Sequence, residues 1–241
     1  MRPRASIVDA DPDLLKGLDP ASAEAVRRAA TAEVMELDAG PLDPSIEPPR
    51  PAYGLFVLEG VLTRGVVIQG RRSAELLGPG DVLRPAASDG LDPSVSFEVQ
   101  WETLEPARLA LLDRDFATAI APWPELTSAI MDRIMRRAHS LAFHLAVSHL
   151  KLVETRLLVI LWYYADRFGR VTPSGVLLPL RLTHGLLARI VGARRPSVST
   201  ALGRLQDRKL VRRTERGHWL LLGDPPGDLE RFSPSEPGLA R

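Results

Sequence analysis

A short stretch near the carboxyl end concentrates side chains that can hydrogen bond to nucleic-acid bases and phosphates. They are three arginines and three hydroxyl residues: Arg194, Arg195, Ser197, Ser199, Thr200 and Arg204. Arginine can donate two parallel hydrogen bonds to a guanine edge, and hydroxyl groups can both donate and accept. Apolar residues alternate with this set at helical spacing: Val198, Ala201, Leu202 and Leu205. The pattern predicts a helix with one apolar and one polar, cationic face, whose chemistry is recognition rather than bond making.

A second helix must precede this one. Thr183 can cap it through its hydroxyl, and Gly192 stands where it must end, since glycine tolerates the left-handed conformation of a helix stop. Pro196 suits the first turn of the following helix. The spacing of Ala188, Gly192 and Val198 is that of a DNA-binding helix-turn-helix. The alternative is an ordinary helical hairpin with a solvated basic face.

A predicted hairpin follows the two helices. Residues 210–213 and 218–222 are apolar runs on either side of Glu215-Arg216-Gly217, which favours a turn. Such a hairpin is a wing, and Arg213, Arg216 and His218 are then candidates for contact with phosphate.

Charge is distributed very unevenly along the 241 residues, although the net charge is only +1. Residues 1–123 contain 12 Lys and Arg against 20 Asp and Glu, a net charge of −8. Residues 170–222 contain 11 against 2, a net charge of +9. A cationic segment that coincides with a predicted helix-turn-helix indicates a polyanionic partner, and phosphate contacts make its binding salt-sensitive.

The amino-terminal half has the pattern of an antiparallel β-roll, or jelly roll. Short apolar runs recur at residues 31–37, 53–58, 61–68, 73–77, 82–83, 94–101 and 108–112. Turn sequences such as Gln69-Gly70 and Gly78-Pro79-Gly80-Asp81 separate them. Residues 1–13 are expected to be frayed, and Asp19-Pro20 to open a short helix. The predicted fold class is therefore α+β.

A long helix is predicted from Pro124 to about His149. Its apolar residues are spaced alternately by three and four: Met131, Ile134, Ala138, Leu141, Leu145, with Ser148 following. Such a heptad seam favours a coiled coil between two copies of the chain. The alternative is a helix packed only on its own domain. Arg133, Arg136 and Arg137 are expected to form a solvated flank.

The domain plan is a sensor roll over residues 14–123, a dimerisation helix over 124–150, a winged helix-turn-helix over 151–222 and a loose tail over 223–241. The chain has no Cys, and residues 1–138 have no His. A metal-dependent cupin enzyme needs His ligands in the roll, so that class is disfavoured. We find no Ser-His-Asp set and no phosphate loop, and expect no enzyme, no metal and no cofactor. His139, His144 and His149 are five residues apart and therefore point in different directions on a helix.

The whole layout resembles the CRP/FNR family of bacterial transcription regulators. The resemblance covers residues 15–222 and is strongest in LLPLRLTHGLLARIVGARRPSVSTALGRLQDRKLVRR. It implies a cytoplasmic homodimer that binds double-stranded DNA at a two-fold symmetric operator. It also implies that the roll reads a ligand or redox signal, so an unidentified small-molecule effector and RNA polymerase are possible partners, and no membrane is involved.

Residue by residue, the resemblance places Arg195 where cyclic-AMP-responsive members contact a guanine, and Ser199 on a base-contacting serine of the oxygen-responsive branch. Pro196 and Thr200 replace the Glu and Arg that both branches use. After Gly80-Asp81 the cyclic-phosphate cassette is missing, and Arg84 is the only nearby cation. The effector, the operator and the direction of regulation are left open. A second class is a ligand-sensing or scaffold protein that keeps the fold without specific DNA binding.

Overall fold

The computed structural model describes residues 3–42, 52–83 and 96–227. The chain divides into two compact units, Met1–Ser140 and Leu141–Arg241. The boundary lies inside the long helix, which the predicted domain plan treats as a separate element. Each unit is described by itself below.

The first unit is built from two antiparallel sheets. The five-stranded sheet has the order β1-β2-β9-β4-β7. Its strands are β1 (Arg4–Ser6), β2 (Thr31–Leu37), β4 (Gly54–Glu59), β7 (Val82–Leu83) and β9 (Ala107–Leu112). The four-stranded sheet has the order β3-β8-β5-β6. Its strands are β3 (Gly40–Pro41), β5 (Leu62–Ile68), β6 (Arg71–Leu77) and β8 (Glu98–Thr103). The predicted antiparallel roll is confirmed.

Local sequence explains where several of these elements begin and end. The turn of Gln69 and Gly70 joins β5 to β6 with φ of 49° and 74°, a two-residue turn whose backbone twist matches the right-handed twist of the strands. Asp113 accepts a hydrogen bond from Phe116 N at 2.8 Å and so caps α3 (Arg114–Ile120). Asp19 caps α2 (Pro20–Ala29) in the same way. Of the predicted strand at residues 94–101, the first two residues lie outside the described part.

The expectation that residues 1–13 are frayed is wrong. Arg4 pairs with Glu33 in the sheet, and the chain continues through α1 (Ile7–Ala10) and a 3₁₀ helix (Pro12–Leu15). Ile7 and Val8 are fully buried in the core of the unit. A pair of apolar residues is too short to show a period, so only the tertiary contacts reveal that this segment is held.

The long helix α4 (Pro124–Ser148) is attached to the roll by charged as well as apolar contacts. Arg133 Nε donates to Asp11 Oδ2 at 2.7 Å, and Arg137 Nη2 donates to Glu75 Oε1 at 2.7 Å. Arg133 and Glu75 are both buried. The predicted solvated flank is therefore wrong for Arg133 and Arg137, because each arginine has a carboxylate of the roll as its partner.

The opposite face of α4 carries an exposed apolar row. Its members are Met131, Met135, Ala138, Leu141, Ala142 and Leu145. Leu145 is 62% exposed, the highest value among the large side chains of this row. Ile134 of the predicted seam instead packs partly buried against the core of the first unit, and Met135, which the sequence pattern did not select, lies on the exposed row.

The second unit combines three helices with a small sheet. The helices are α5 (Val153–Phe168), α6 (His184–Val191) and α7 (Arg195–Asp207). The sheet has the order β10-β11-β13-β12, from β10 (Arg170–Thr172), β11 (Gly175–Leu178), β13 (Trp219–Leu221) and β12 (Val211–Arg213). The sequence did not predict β10. Among the residues that the structure describes, no helix has the length and apolarity to cross a bilayer.

The last turns of α4 belong to this unit and pack on α5 through aromatic rings. Phe143 stacks on Tyr163 with 4.4 Å between ring centroids. His144 Nε2 and Tyr164 Oη lie 2.9 Å apart in a hydrogen bond. His139 and His149 are exposed, as expected for three histidines on different faces. Within residues 3–42, 52–83 and 96–227, no three His, Cys, Asp or Glu side chains form a group that could hold a metal ion.

Candidate nucleic-acid interface

The turn between α6 and α7 has the geometry that the sequence predicts. Thr183 Oγ1 accepts from Leu186 N at 3.2 Å and caps α6. Gly192 adopts the left-handed conformation, with φ of 63° and ψ of 41°. Ala193 N donates to Ala188 O at 2.9 Å and closes the helix end. Pro196 lies in the first turn of α7, where no backbone donor is needed.

The apolar faces of both helices are buried in the second unit. Leu187, Val198, Leu202 and Leu205 are inaccessible to solvent, and Ala188 leaves room for the crossing helix. The Trp219 ring closes the same core, and its Nε1 donates to Leu182 O at 3.1 Å. This burial fixes which face of α7 is turned to solvent.

All six predicted polar side chains of the α7 region are exposed: Arg194, Arg195, Ser197, Ser199, Thr200 and Arg204. The predicted wing is also present, because β12 and β13 pair in register from Val211 with Leu221 to Arg213 with Trp219. Arg213 and Arg216 are exposed on it, and His218 is half-buried. The unit thus presents a helix face and a hairpin that both carry cations and hydrogen-bond donors.

Two members of this set already have partners within the unit. Arg204 Nη1 donates to Glu154 Oε1 on α5 at 2.8 Å. Ser199 Oγ donates to Arg195 O at 3.1 Å and lies 2.9 Å from His184 Nδ1. Any contact of these side chains with a ligand must therefore share or replace an internal bond.

Sequence reasoning missed His184, the first residue of α6. Its ring lies 6.3 Å from that of Trp219, between centroids. Together with Thr183, Gly185, Arg195 and Arg213 it lines an open cavity of about 540 Å³. Partial burial lowers the pKa of the His184 imidazole, and the positive charges of Arg213 and Arg195 lower it further. The available signal was a histidine next to a helix cap, which is too common a pattern to indicate a site.

Comparison with known proteins agrees with this geometry. Residues 155–227 match the family described as the Crp-like helix-turn-helix domain. The second unit contains a Crp-like helix-turn-helix domain. The resemblance to the CRP/FNR family that the sequence suggested is thereby confirmed. No curated protein matches the chain in sequence.

Solved structures share the fold over most of the chain. A CooA mutant from Carboxydothermus hydrogenoformans has a TM-score of 0.62 at 18% identity, over 83% of this chain and 87% of its own. The regulator CLP of Xanthomonas campestris, described as c-di-GMP responsive, has a TM-score of 0.60 at 20% identity, over 86% and 100%. A cyclic nucleotide-binding domain containing protein from Listeria monocytogenes has a TM-score of 0.63 at 16% identity, over 78% and 88%. These likenesses show the fold, not the ligand.

The first unit contains the glycine turn that the sequence predicts in the roll. Gly78 N donates to Asp81 Oδ2 at 2.9 Å, and Asp81 is buried, so its carboxylate serves to close the turn. Arg84, the cation that the sequence places next to this turn, lies outside the described residues, as do residues 228–241 of the predicted tail.

Proposed function

We propose that this protein is a sequence-specific, DNA-binding transcription regulator of the CRP/FNR type that acts as a homodimer on a two-fold symmetric operator. One observation carries the proposal: a Crp-like helix-turn-helix domain turns the polar face of α7 and the cationic wing to solvent. In this proposal α7 enters the major groove and the wing follows the backbone. The β-roll would receive an effector, RNA polymerase would be a protein partner, and the site of action would be the bacterial cytoplasm.

Arg195 is the proposed base reader. It is the first residue of α7 and is exposed, so its guanidinium is accessible to a base edge. A bidentate contact with guanine is the commonest specific contact of arginine in a major groove. Ser197 and Thr200 are exposed beside it and are proposed to contact bases or phosphates, as are Arg194 and Arg204.

The exposed row of α4 supports the proposed homodimer. Met131, Met135, Ala138, Ala142 and Leu145 are spaced by four, three, four and three residues, which keeps them on one seam of a two-stranded coiled coil. Leu141 flanks this seam. Large apolar side chains that are roughly half exposed in one copy are costly in water, and a second α4 would cover them.

A salt-resolved binding measurement tests the proposal. We expect a labelled nonspecific duplex to bind at low salt and to dissociate as salt rises, because phosphate contacts release counterions. Replacing Arg213 with Ala should weaken this binding, because it removes a cation of the wing. Replacing Arg170 with Ala removes the same charge from the far edge strand of the sheet and is the matched control, with little effect expected. Absence of binding by the native chain at low salt would favour the alternative, a protein that keeps the fold without binding DNA.

A further inference from the structure

The cavity at the start of α6 contains the His184 imidazole, which the proposed function does not use. The walls of the cavity come from three elements: the start of α6, the start of α7 and the wing strand β12. They bring His184 together with Arg195 and Arg213. The Arg213 guanidinium and the His184 imidazole are hydrogen-bond donors that suit a phosphate group, and the positive charge of Arg195, the proposed base reader, adds to the attraction.

The contacts of Ser199 allow the tautomer of His184 to be assigned. Ser199 Oγ lies 3.1 Å from Arg195 O and 2.9 Å from His184 Nδ1. A carbonyl oxygen cannot donate, so we assign the single hydroxyl proton to the bond with Arg195 O and the second bond to donation by Nδ1–H. In the neutral ring, Nε2 is then the basic nitrogen. A proton added there leaves the bond to Ser199 intact.

We propose that the cavity receives a backbone phosphate of the DNA and that His184 takes up a proton at Nε2 when it does, so that DNA binding strengthens as the pH falls. This inference rests on the proposed function. The proton comes from solvent, and the imidazolium then donates an Nε2–H bond to the phosphate oxygen. Nδ1–H continues to donate to Ser199.

The charges around His184 favour protonation of the imidazole in the complex over protonation in the free protein. The charged groups that act on the ring are Arg195 of α7 and Arg213 of the wing, and Trp219 of β13 adds an uncharged neighbour. Both charges are positive, and with partial burial they hold the pKa of the free imidazole below its ordinary value of 6.5. A phosphate would offset both cations and attract the imidazolium directly, so the pKa must rise in the complex.

The direction of the pH dependence follows from the difference between the pKa of His184 in the free protein and its pKa in the complex. The bound form holds more protons than the free form at any pH between the lowered free pKa and the raised bound pKa. In that interval affinity increases as the pH falls, with a limiting slope of about tenfold per pH unit for one proton. Below the free pKa the dependence on this group levels off.

The test measures the affinity of the full-length protein for a labelled nonspecific duplex from about pH 8 to about pH 6 at constant low salt. The phosphate contact does not depend on sequence, so this probe reports it. We expect affinity to rise several-fold over this range. The His184→Gln variant should lose the rise, whereas His149→Gln, which removes an exposed histidine at the end of α4, should retain it.

A second measurement does not depend on the fold of a variant. The imidazole resonances of His184 in the native protein, titrated by NMR with and without duplex, should show a higher pKa with duplex. Affinity that does not change with pH, a His184→Gln variant that keeps the full dependence, or a His184 pKa that is unchanged by duplex would each overturn this inference alone. Absence of duplex binding at every pH would overturn the proposed function and this inference together.

Discussion

Arg204 of α7 is held by Glu154 of α5, with 2.8 Å between Nη1 and Oε1. The Glu154 side chain is 17% exposed and that of Arg204 66%, so the carboxylate is fixed while the arginine extends into solvent. Arg208 approaches the same carboxylate at 3.9 Å. A negative charge thus lies next to Arg204 of the proposed DNA surface and to the neighbouring Arg208, and it lowers the attraction of both cations for phosphate.

Replacing Glu154 with Gln is expected to strengthen binding to nonspecific duplex. The change removes a charge that repels phosphate and frees Arg204, for a gain of about 0.5–1 kcal/mol at low salt. Glu24→Gln removes an exposed carboxylate that pairs with Arg28 on α2 at 3.3 Å, outside the unit that carries the proposed DNA surface, and serves as the control for the loss of one negative charge. Weaker binding by Glu154→Gln, measured by fluorescence anisotropy, would show that Glu154 positions Arg204 rather than restraining it.

Replacing Arg195 with Ala is expected to relax specificity at one base pair of each half-site. A bidentate contact to guanine accounts for roughly 1–3 kcal/mol of discrimination against the wrong base. Competition binding with single-base variants of the operator measures this directly. A variant that binds every sequence equally more weakly would instead assign Arg195 to phosphate.

Substitutions at two neighbouring residues of α4 distinguish the dimer seam predicted from the sequence, which includes Ile134, from the exposed row, which includes Met135. Met135 is 51% exposed, whereas Ile134 packs against the core of the first unit. We expect Met135→Glu or Leu145→Glu to give monomers in sedimentation experiments without loss of fold. Ile134→Glu should destabilise the first unit instead, since it buries a charge. His139→Glu adds the same charge at an exposed position beside the row and is the control. Dimers that persist in Met135→Glu would exclude the exposed row as the interface.

The ion pairs between α4 and the roll should be important for stability. Glu75 is 5% exposed and accepts from Arg137 at 2.7 Å, and Arg64 lies at 3.6 Å. Glu75→Ala removes the shared partner of two arginines, and we expect a loss of about 3–5 kcal/mol in the free energy of unfolding. Asp13→Ala, which breaks an exposed pair with Lys16, should have little effect on stability because solvent screens that pair. Equal losses for the two variants in denaturant titrations would contradict the structural role assigned to Glu75.

Acid should lower the folding stability of the free protein, whereas it should raise the affinity for DNA. Because the folded state lowers the pKa of His184 below 6.5, protonation favours the unfolded chain. The stability that the neutral ring contributes is therefore present above pH 6.5 and is lost as the pH falls through the folded pKa. Thermal unfolding of the native protein and of His184→Gln at several pH values checks this. A native protein whose acid sensitivity equals that of the variant would show that His184 does not contribute.

The sequence predicted those parts of the structure that local chemistry dictates. Thr183 and Gly192 mark the start and end of α6 and Pro196 the start of α7, through capping and backbone conformation, and all three lie where they were expected. The strands of the roll were identifiable because their apolar runs are bounded by turns such as Gln69-Gly70.

Pairings between distant segments were not predictable. Arg133 and Asp11 are 122 residues apart, and nothing near either residue indicates the other. His184 and Ser199 come from two different helices, so their hydrogen bond depends on the helix crossing. The choice between Ile134 and Met135 depends on the angle at which α4 meets the core, which a period of three and four residues leaves undetermined.

Selection of bound duplexes from a random DNA pool by the full-length protein tests the central claim most directly. The proposal predicts enrichment of a two-fold symmetric sequence, with half-sites about one helical turn or a small multiple apart and a guanine whose enrichment is lost in Arg195→Ala. Recovery of an unenriched pool, or of a single asymmetric half-site, would contradict a homodimeric, sequence-specific regulator.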